Sequence, residues 1–449
     1  MTQPGIQVKK FNFTQKITLI LAPVAFFMAL GASVLYAQIK YTGVNLAGAE
    51  FGVSNGNLNL PGTYGTDYTY PTDGEVDYYM GKGMNTFRLP FRWERLQHSQ
   101  FSTFDTAELG YMDSFINYAT AKGAYVILDP HNFQRYYPDS SNYQSSEKGL
   151  IGSDVSNDAF ADFWGKLANH YKGNSKVIFG LMNEPNTMPT EQLVNSSNTA
   201  IEAIRNTGAT NLILVSGNEW TGAWSWDETW YGGANSQYML SIVDPGSNFA
   251  FEVHQYMDDN YSGGSSGITD NDPMIGVKRI TNFTNWLKQH KLKGLLGEFA
   301  VANSRIGNGQ DDVGDEVIKN LLDYIEKNSD VWIGWTWWAG GPWWGEYLFT
   351  LEPTNLGQPD QGPDRPAMGV LQSYLYSENL YIQNEIIAEN RTYRARDTIE
   401  AGNSVTKEKP QGDVILESGA NISFEAGSII RIKPGFKAKA GSIFQATVN

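Results

Sequence analysis

VIFGLMNEPN, residues 177–186, runs six residues without a charge or a hydroxyl and then presents Asn183 and Glu184. A short apolar run rich in Val, Ile, Leu and Phe reads as a buried strand, and a carboxylate just beyond it sits where the strand leaves the core. LLGEFAVAN, residues 295–303, repeats the pattern with Glu298. One such glutamate is ordinarily a capping or salt-bridged acid. Two of them at comparable strand ends raise a different question, namely how many strands there are and whether the two ends face each other.

Working outward, eight such runs follow one another at residues 41–46, 85–89, 124–129, 177–182, 211–216, 249–254, 292–298 and 331–337. Helix-like stretches lie between several of them, at 108–122, 158–171, 191–206, 274–289 and 312–328. Alternating strands and helices over this length give either a (β/α)8 TIM barrel or a doubly wound open sheet. No glycine-rich phosphate loop follows the first run, and polar or aromatic residues mark the end of nearly every run. An open sheet concentrates its ligand at one switch point, whereas a barrel builds its site from all the C-terminal strand ends, so the barrel is expected. Those ends read Asn45, Arg88, His131 with Asn132, Asn183 with Glu184, Asn218 with Trp220, His254 with Tyr256, Glu298, and Trp337 with Trp338. Glu184 and Glu298 then fall on strands four and seven, facing each other across the mouth. Paired carboxyl groups so placed suit glycoside hydrolysis, one giving a proton and the other serving as nucleophile or base.

Composition narrows the class. The 449 residues have room for one large domain and a small one, and a net charge of −15 argues against nucleic acid and anionic surfaces as partners. With no cysteine, disulfides, thiolate metal sites and thiol nucleophiles are excluded. Lys9, Lys10 and Lys16 precede an apolar stretch from 17 to 36, followed by Ala37 and Gln38. This reads as a secretory signal peptide cleaved near Ala37, or, if kept, as an anchor. Nothing downstream reads as a membrane span, so a secreted or cell-surface protein is expected.

The segments GVNLAGAEFG, NTFRLPFRWERL, VILDPHNF, GLMNEPN, FEVHQYMD, LLGEFAVAN and WTWWAGGPWWGEY, in this order between about Gln38 and Tyr376, resemble glycoside hydrolase family 5, and within it the cellulase-type endoglucanases. The resemblance implies an endo-β-1,4-glucanase acting by double displacement on a β-glucan. It implies Glu184 as acid/base and Glu298 as nucleophile, supported by Arg88, His131, Asn183, His254, Tyr256 and an aromatic platform at Trp338. A β-mannanase or another β-glycan endohydrolase on the same barrel is the alternative, and a non-catalytic glycan-binding surface protein is a further one. Arg88 and Tyr256 are expected to favour the ionised nucleophile, and a charged nucleophile beside the acid helps it keep its proton. Asn183 is placed for the sugar 2-hydroxyl. No cofactor is called for. His131 and His254, without carboxylates at ligand spacing, read as orienting groups rather than metal ligands. Trp93, Trp220, Trp224, Trp226, Trp230, Trp338, Trp343 and Trp344 are expected to wall a groove, and Trp164, Trp286, Trp332 and Trp335 to pack the core.

The organisation expected is a signal peptide at 1–37, the barrel at 38–376, a polar linker running into a small module at 377–412, and a β-repeat module at 413–449. Gly419, Gly427, Gly435 and Gly441 recur among short alternating strands. That tail resembles the coat-hanger stack modules of secreted bacterial proteins, which implies a spacer or surface-association role. A carbohydrate-binding module is the rival, but no Trp lies there, and Phe424, Phe436 and Phe444 read as its core. The loop 258–273, DDNYSGGSSGITDNDP, lacks the ligand spacing and terminal Glu of a calcium loop.

Overall fold

Eight parallel strands close on themselves in a computed structural model that describes residues 39–448 except 55, 56, 59, 138–148 and 308–312. They are β1 (Tyr41–Leu46), β2 (Thr86–Phe91), β3 (Tyr125–Pro130), β4 (Val177–Gly180), β5 (Ile213–Ser216), β6 (Phe249–His254), β7 (Gly294–Glu298) and β8 (Trp332–Gly340). Each pairs with its sequence neighbours, and β1 pairs with β8, so the fold is a (β/α)8 TIM barrel. The signal-peptide reading of residues 1–37 lies outside the described residues. Among the described ones, no helix is long and apolar enough to cross a membrane.

The strands are buried on both faces, as a barrel wall under helices must be. Tyr41, Ile127, Ile178, Leu214, Ala250 and Leu295 fill the interior, while the larger core lies between strands and helices. Helix signals in the sequence explain the outer layer. Thr72 and Glu75 form a reciprocal capping box at the start of α1 (Asp73–Gly81), and Asp105 and Ser156 cap α2 (Thr106–Ala121) and α3 (Asn157–Tyr171). Further round come α4 (Thr190–Asn206), α5 (Ile275–His290) and α6 (Val313–Lys327), whose Val317, Ile318, Leu321, Leu322 and Ile325 form one buried stripe. After β5, where the sequence offers no helix-like stretch, the chain forms short helical turns at Glu219–Thr221 and Asn235–Tyr238. That leaves the aromatic segment 220–231 as loop above the mouth.

Residues from Tyr376 onward belong to a second compact unit. Its nine strands are β9 (Asn379–Ile382), β10 (Glu385–Ile387), β11 (Arg391–Ala395), β12 (Thr398–Ala401), β13 (Val414–Leu416), β14 (Asn421–Ala426), β15 (Ile429–Ile432), β16 (Phe436–Ala438) and β17 (Ile443–Val448). They stack as three parallel ladders, β9–β12–β15, β10–β13–β16 and β11–β14–β17, so three successive coils each give one strand to every ladder. Residues 377–412, read above as a linker running into the start of the small module, carry the first coil and the start of the second. Each strand in that stretch, β9 to β12, contributes only one or two apolar side chains to the core, such as Ile382, Ile387 and Ile399, too few to make an apolar run. Phe424 is fully buried at the centre, with Phe436 and Phe444 packed on it at 6.0 and 5.0 Å.

Candidate active site

The strand ends converge on Arg88. From β2 its guanidinium reaches Glu298 Oε1 (2.9 Å), Asn45 Oδ1 (2.9 Å), Asn183 Oδ1 (2.8 Å) and Asp129 Oδ2 (3.1 Å), and Nε stands 2.8 Å from Glu252 Oε1. Burial opposes its charge, but Asp129, Glu252, Glu298 and Glu184 together hold the proton more tightly than usual. Glu298, at the end of β7, is gripped on both oxygens, since the Tyr256 hydroxyl donates to Oε2 at 2.7 Å. Burial nevertheless pushes its pKa up to about 7, the charge of Glu184 adding to that, against His254, Arg88 and the Tyr256 hydrogen bond. Arg88 and Tyr256 act in the expected direction, each favouring the ionised form. Desolvation of a nearly fully enclosed carboxylate outweighs them.

Glu184 is the more open acid, its side chain 17% exposed against 5% for Glu298. Its backbone adopts a left-handed conformation (φ 41°), uncommon for a residue with a Cβ and held here from two sides. Asn186 Nδ2 donates to the Glu184 carbonyl at 3.0 Å, and the Trp220 amide to that of Pro185 at 3.0 Å. His254 lies between the acids, with Nδ1 2.8 Å from Glu184 Oε1 and 3.5 Å from Glu298 Oε2. Burial disfavours its imidazolium, yet Glu298, Glu184 and Glu252 more than offset this and raise its pKa to about 10.

A second relay fixes Asn183. His131 Nδ1 donates to Asp129 Oδ2 (2.8 Å), and Nε2 accepts from Asn183 Nδ2 (3.1 Å), the arrangement of a neutral ring. Burial and the nearby Arg92 and Arg88 hold that ring well below the usual histidine range. Asn183 thus presents Oδ1 to Arg88 and one N–H to His131, leaving its other N–H for a ligand. Trp338 lies half-buried over His131, their rings stacked at 5.6 Å and 20°. Trp337 points the opposite way, as alternate strand residues do, and is fully buried with its indole N–H on the Phe349 carbonyl (2.8 Å).

All eight expected site residues lie in this one network. Other expectations change. Trp93 and Trp226, read as groove walls, are fully buried, packed on Phe160, Phe163 and Tyr136, and on Phe251, Phe283 and Trp286. Trp220, Trp230 and Trp343 are exposed. Asn132 bonds Glu94, and Asn218 ties the loop after β5, so neither reaches the site. Asp129 and Glu252 also belong to the network; Glu252 stands two residues before His254 on the same face of β6, Asp129 two residues before His131, which follows β3, and a carboxylate inside an apolar run is the signal that marks both. The fold also gathers Glu184, His254 and Glu298, one ligand-type atom of each within 4.8 Å of the others, contrary to the reading that no carboxylates surround the histidine. Both ring nitrogens of His254 face carboxylates, and its protonated form has no lone pair for a cation. In the loop 258–273, Asp258 turns inward and accepts from the Gly263 and Gly264 amides (3.1 Å each).

The cellulase profile, glycosyl hydrolase family 5, matches residues 44–341. This chain belongs to that family. It is 39% identical to endoglucanase gh5-1 of Neurospora crassa over 320 residues, covering 71% of this chain and 74% of that one. It is 37% identical to endo-β-1,4-glucanase B of Aspergillus niger over 337 residues, covering 75% of this chain and 90% of the relative. Among solved structures, the endo-β-1,4-glucanase Xac0029 from Xanthomonas axonopodis pv. citri superposes with a TM-score of 0.66 at 41% identity, covering 75% of this chain and 98% of the other. As a family 5 member the chain is a glycoside hydrolase with a glucan substrate. The family match, residues 44–341, lies within the barrel unit and does not extend to the C-terminal one.

Proposed function

We propose that this glycoside hydrolase is a secreted, retaining endo-β-1,4-glucanase, with Glu298 as nucleophile and Glu184 as acid/base. The observation that carries the reading is the approach of Glu184 and Glu298, one oxygen of each lying within 4.8 Å of the other across the mouth. Retaining enzymes hold their carboxyl groups about 5–5.5 Å apart, and inverting ones leave room for a water at about 6.5–9.5 Å. In the first step a Glu298 oxygen bonds to the anomeric carbon as the glycosidic C–O bond breaks, and the Glu184 proton passes to the leaving oxygen. In the second, water attacks the same carbon, gives its proton to Glu184 and frees Glu298. Arg88 and Tyr256 hold the nucleophile's two oxygens so that only one trajectory is open, and the free Asn183 N–H meets the sugar 2-hydroxyl.

Exposed Trp220, Trp230 and Trp343 around an open mouth fit a polymer threading past the acids better than a pocket for chain ends. Cellulose-type β-1,4-glucan is the polymer proposed, in line with what the relatives' names say of them. Export through residues 1–37 and a spacer or surface-association role for the coiled C-terminal unit complete the proposal. Reducing-sugar release and viscosity loss on carboxymethyl-cellulose, mannan and xylan test it. Fast viscosity loss on the glucan is expected; preferential release from mannan would move the activity to a β-mannanase, and none from any polymer would favour a glycan-binding protein.

A further inference from the structure

The site holds two carboxylates beyond the pair that double displacement uses, Asp129 beside His131 and Glu252 beside His254. Glu252 is 2% exposed on β6, with Oε1 3.3 Å from His254 Nε2 and 2.8 Å from Arg88 Nε. Its position is tightly enclosed. A Cβ built on Gly297 would stand 2.2 Å from Glu252 Oε1, and one on Gly180 3.6 Å from Oε2. The glycine before the nucleophile therefore makes room for this carboxylate. Burying a charge beside Asp129, Glu184 and Glu298 is costly, and an amide of the same shape would fill the volume without that cost. The charge itself is what the position supplies.

We infer that Glu252 is a positioning residue that acts through His254 to keep the proton which Glu184 delivers. The inference rests on the acid/base reading of Glu184. An ionised Glu252 only accepts hydrogen bonds, so it fixes a proton on His254 Nε2. The second proton of the ring then lies on the 2.8 Å line between Nδ1 and Glu184 Oε1, on the nitrogen or on the carboxyl oxygen. The trio Glu252–His254–Glu184 is a store of one movable proton next to the leaving oxygen. Other charged or titratable groups facing it are Arg88 from β2, Asp129 and His131 from and just after β3, Tyr256 after β6, and Glu298 from β7. Arg88 and neutral His131 do not change charge across the working range, and Glu298 and Asp129, raised to about 7, ionise before the alkaline limb. A raised His254 pKa agrees with a proton held into alkaline solution. With glutamine at 252, the amide can donate to Nε2, the ring proton shifts to Nδ1, and the store empties at lower pH.

The test uses the full chain and aryl β-cellobiosides. For Glu252→Gln, the alkaline limb of kcat/KM is expected to fall by at least one pH unit. On a phenyl leaving group, which needs a proton, kcat should drop 10- to 100-fold, and on 2,4-dinitrophenyl, which does not, less than threefold. A pH profile superimposable on wild type, or equal losses on both leaving groups, overturns the inference. Glu184→Gln run in parallel separates it from the underlying reading: if that variant keeps wild-type turnover on the phenyl glycoside, the acid/base assignment itself fails. A measurement on the wild type stands independently of the variant's folding. With 15N-histidine, one of the five imidazoles should keep its Nε2 protonated at pH 8 and lose that proton to Nδ1 in Glu252→Gln; a His254 ring protonated only at Nδ1 in the wild type would overturn the inference.

Discussion

Replacing Tyr256 by Phe removes one hydroxyl and nothing else from the nucleophile's surroundings. The ring is buried, stacks on Phe349 at 6.0 Å and 23°, and keeps its volume, so no cavity opens. What is lost is a 2.7 Å hydrogen bond to a carboxylate. Bonds of this charge-assisted kind contribute about 1.5–3 kcal/mol. They do so only for the ionised form, and one pKa unit corresponds to about 1.36 kcal/mol, so the loss should raise the Glu298 pKa by about one to two units. Starting from about 7, the acidic limb of kcat/KM should move into the alkaline range. At pH 6 the variant should lose about 10- to 100-fold in kcat/KM, with partial recovery as pH rises. The assay is initial-rate hydrolysis of an uncharged substrate such as hydroxyethyl-cellulose or an aryl cellobioside from pH 4 to 9, with thermal melts to confirm an intact fold. An acidic limb within a few tenths of a unit of wild type would refute the reasoning that Tyr256 sets the ionisation of Glu298.

Gly297→Ala should drive Glu252 off Arg88 and His254, since its Cβ would stand 2.2 Å from Oε1; overpacking of this kind costs about 1–3 kcal/mol, seen as a lower melting temperature with at least tenfold lower turnover. Gly110→Ala, in α2 with nothing near the added Cβ, should leave both unchanged or raise the melting temperature slightly. Trp337→Ala should cost about 3–5 kcal/mol of stability as a fully buried ring, whereas Trp338→Ala should melt near wild type but lose turnover; equal melting losses would contradict the assignment of their two faces. Stability should fall between pH 5 and 8. Glu298, Asp129 and Glu50 are raised to about 7 and Glu352 to about 8, in each case chiefly by burial, so the folded state binds more protons than the unfolded one in that window. Calorimetry in matched buffers checks this, and a melting temperature rising from pH 5 to 8 would contradict it.

Much of the barrel was legible because its strands are buried on both faces and so read as apolar runs. Tyr41–Leu46 and Phe249–His254 begin and end where the pattern predicts. The site was legible for the same reason. A polar side chain at the end of such a run has nowhere to go but the mouth, and Arg88, Asn183, Glu184 and Glu298 each stand out against apolar neighbours. Other features depend on contacts between distant segments, which no local pattern records. Trp93 and Trp226 look like loop aromatics, yet each meets a cluster from a helix far along the chain. Glu252 became visible only once Arg88 and His254 were seen on either side of it. The first coil of the C-terminal unit was illegible because Ile382, Ile387 and Tyr393 gain their apolar surroundings from the coil stacked against them, not from their own strand.

The account turns on Glu298 forming a bond to sugar. The most direct measurement is inactivation with 2,4-dinitrophenyl 2-deoxy-2-fluoro-β-cellobioside, whose intermediate turns over slowly, followed by peptide mapping by mass spectrometry. The account predicts one added fluoroglycosyl group, on the peptide that carries LLGEFAVAN, with the ester at Glu298. An adduct on any other residue, or steady activity with no adduct, would contradict it.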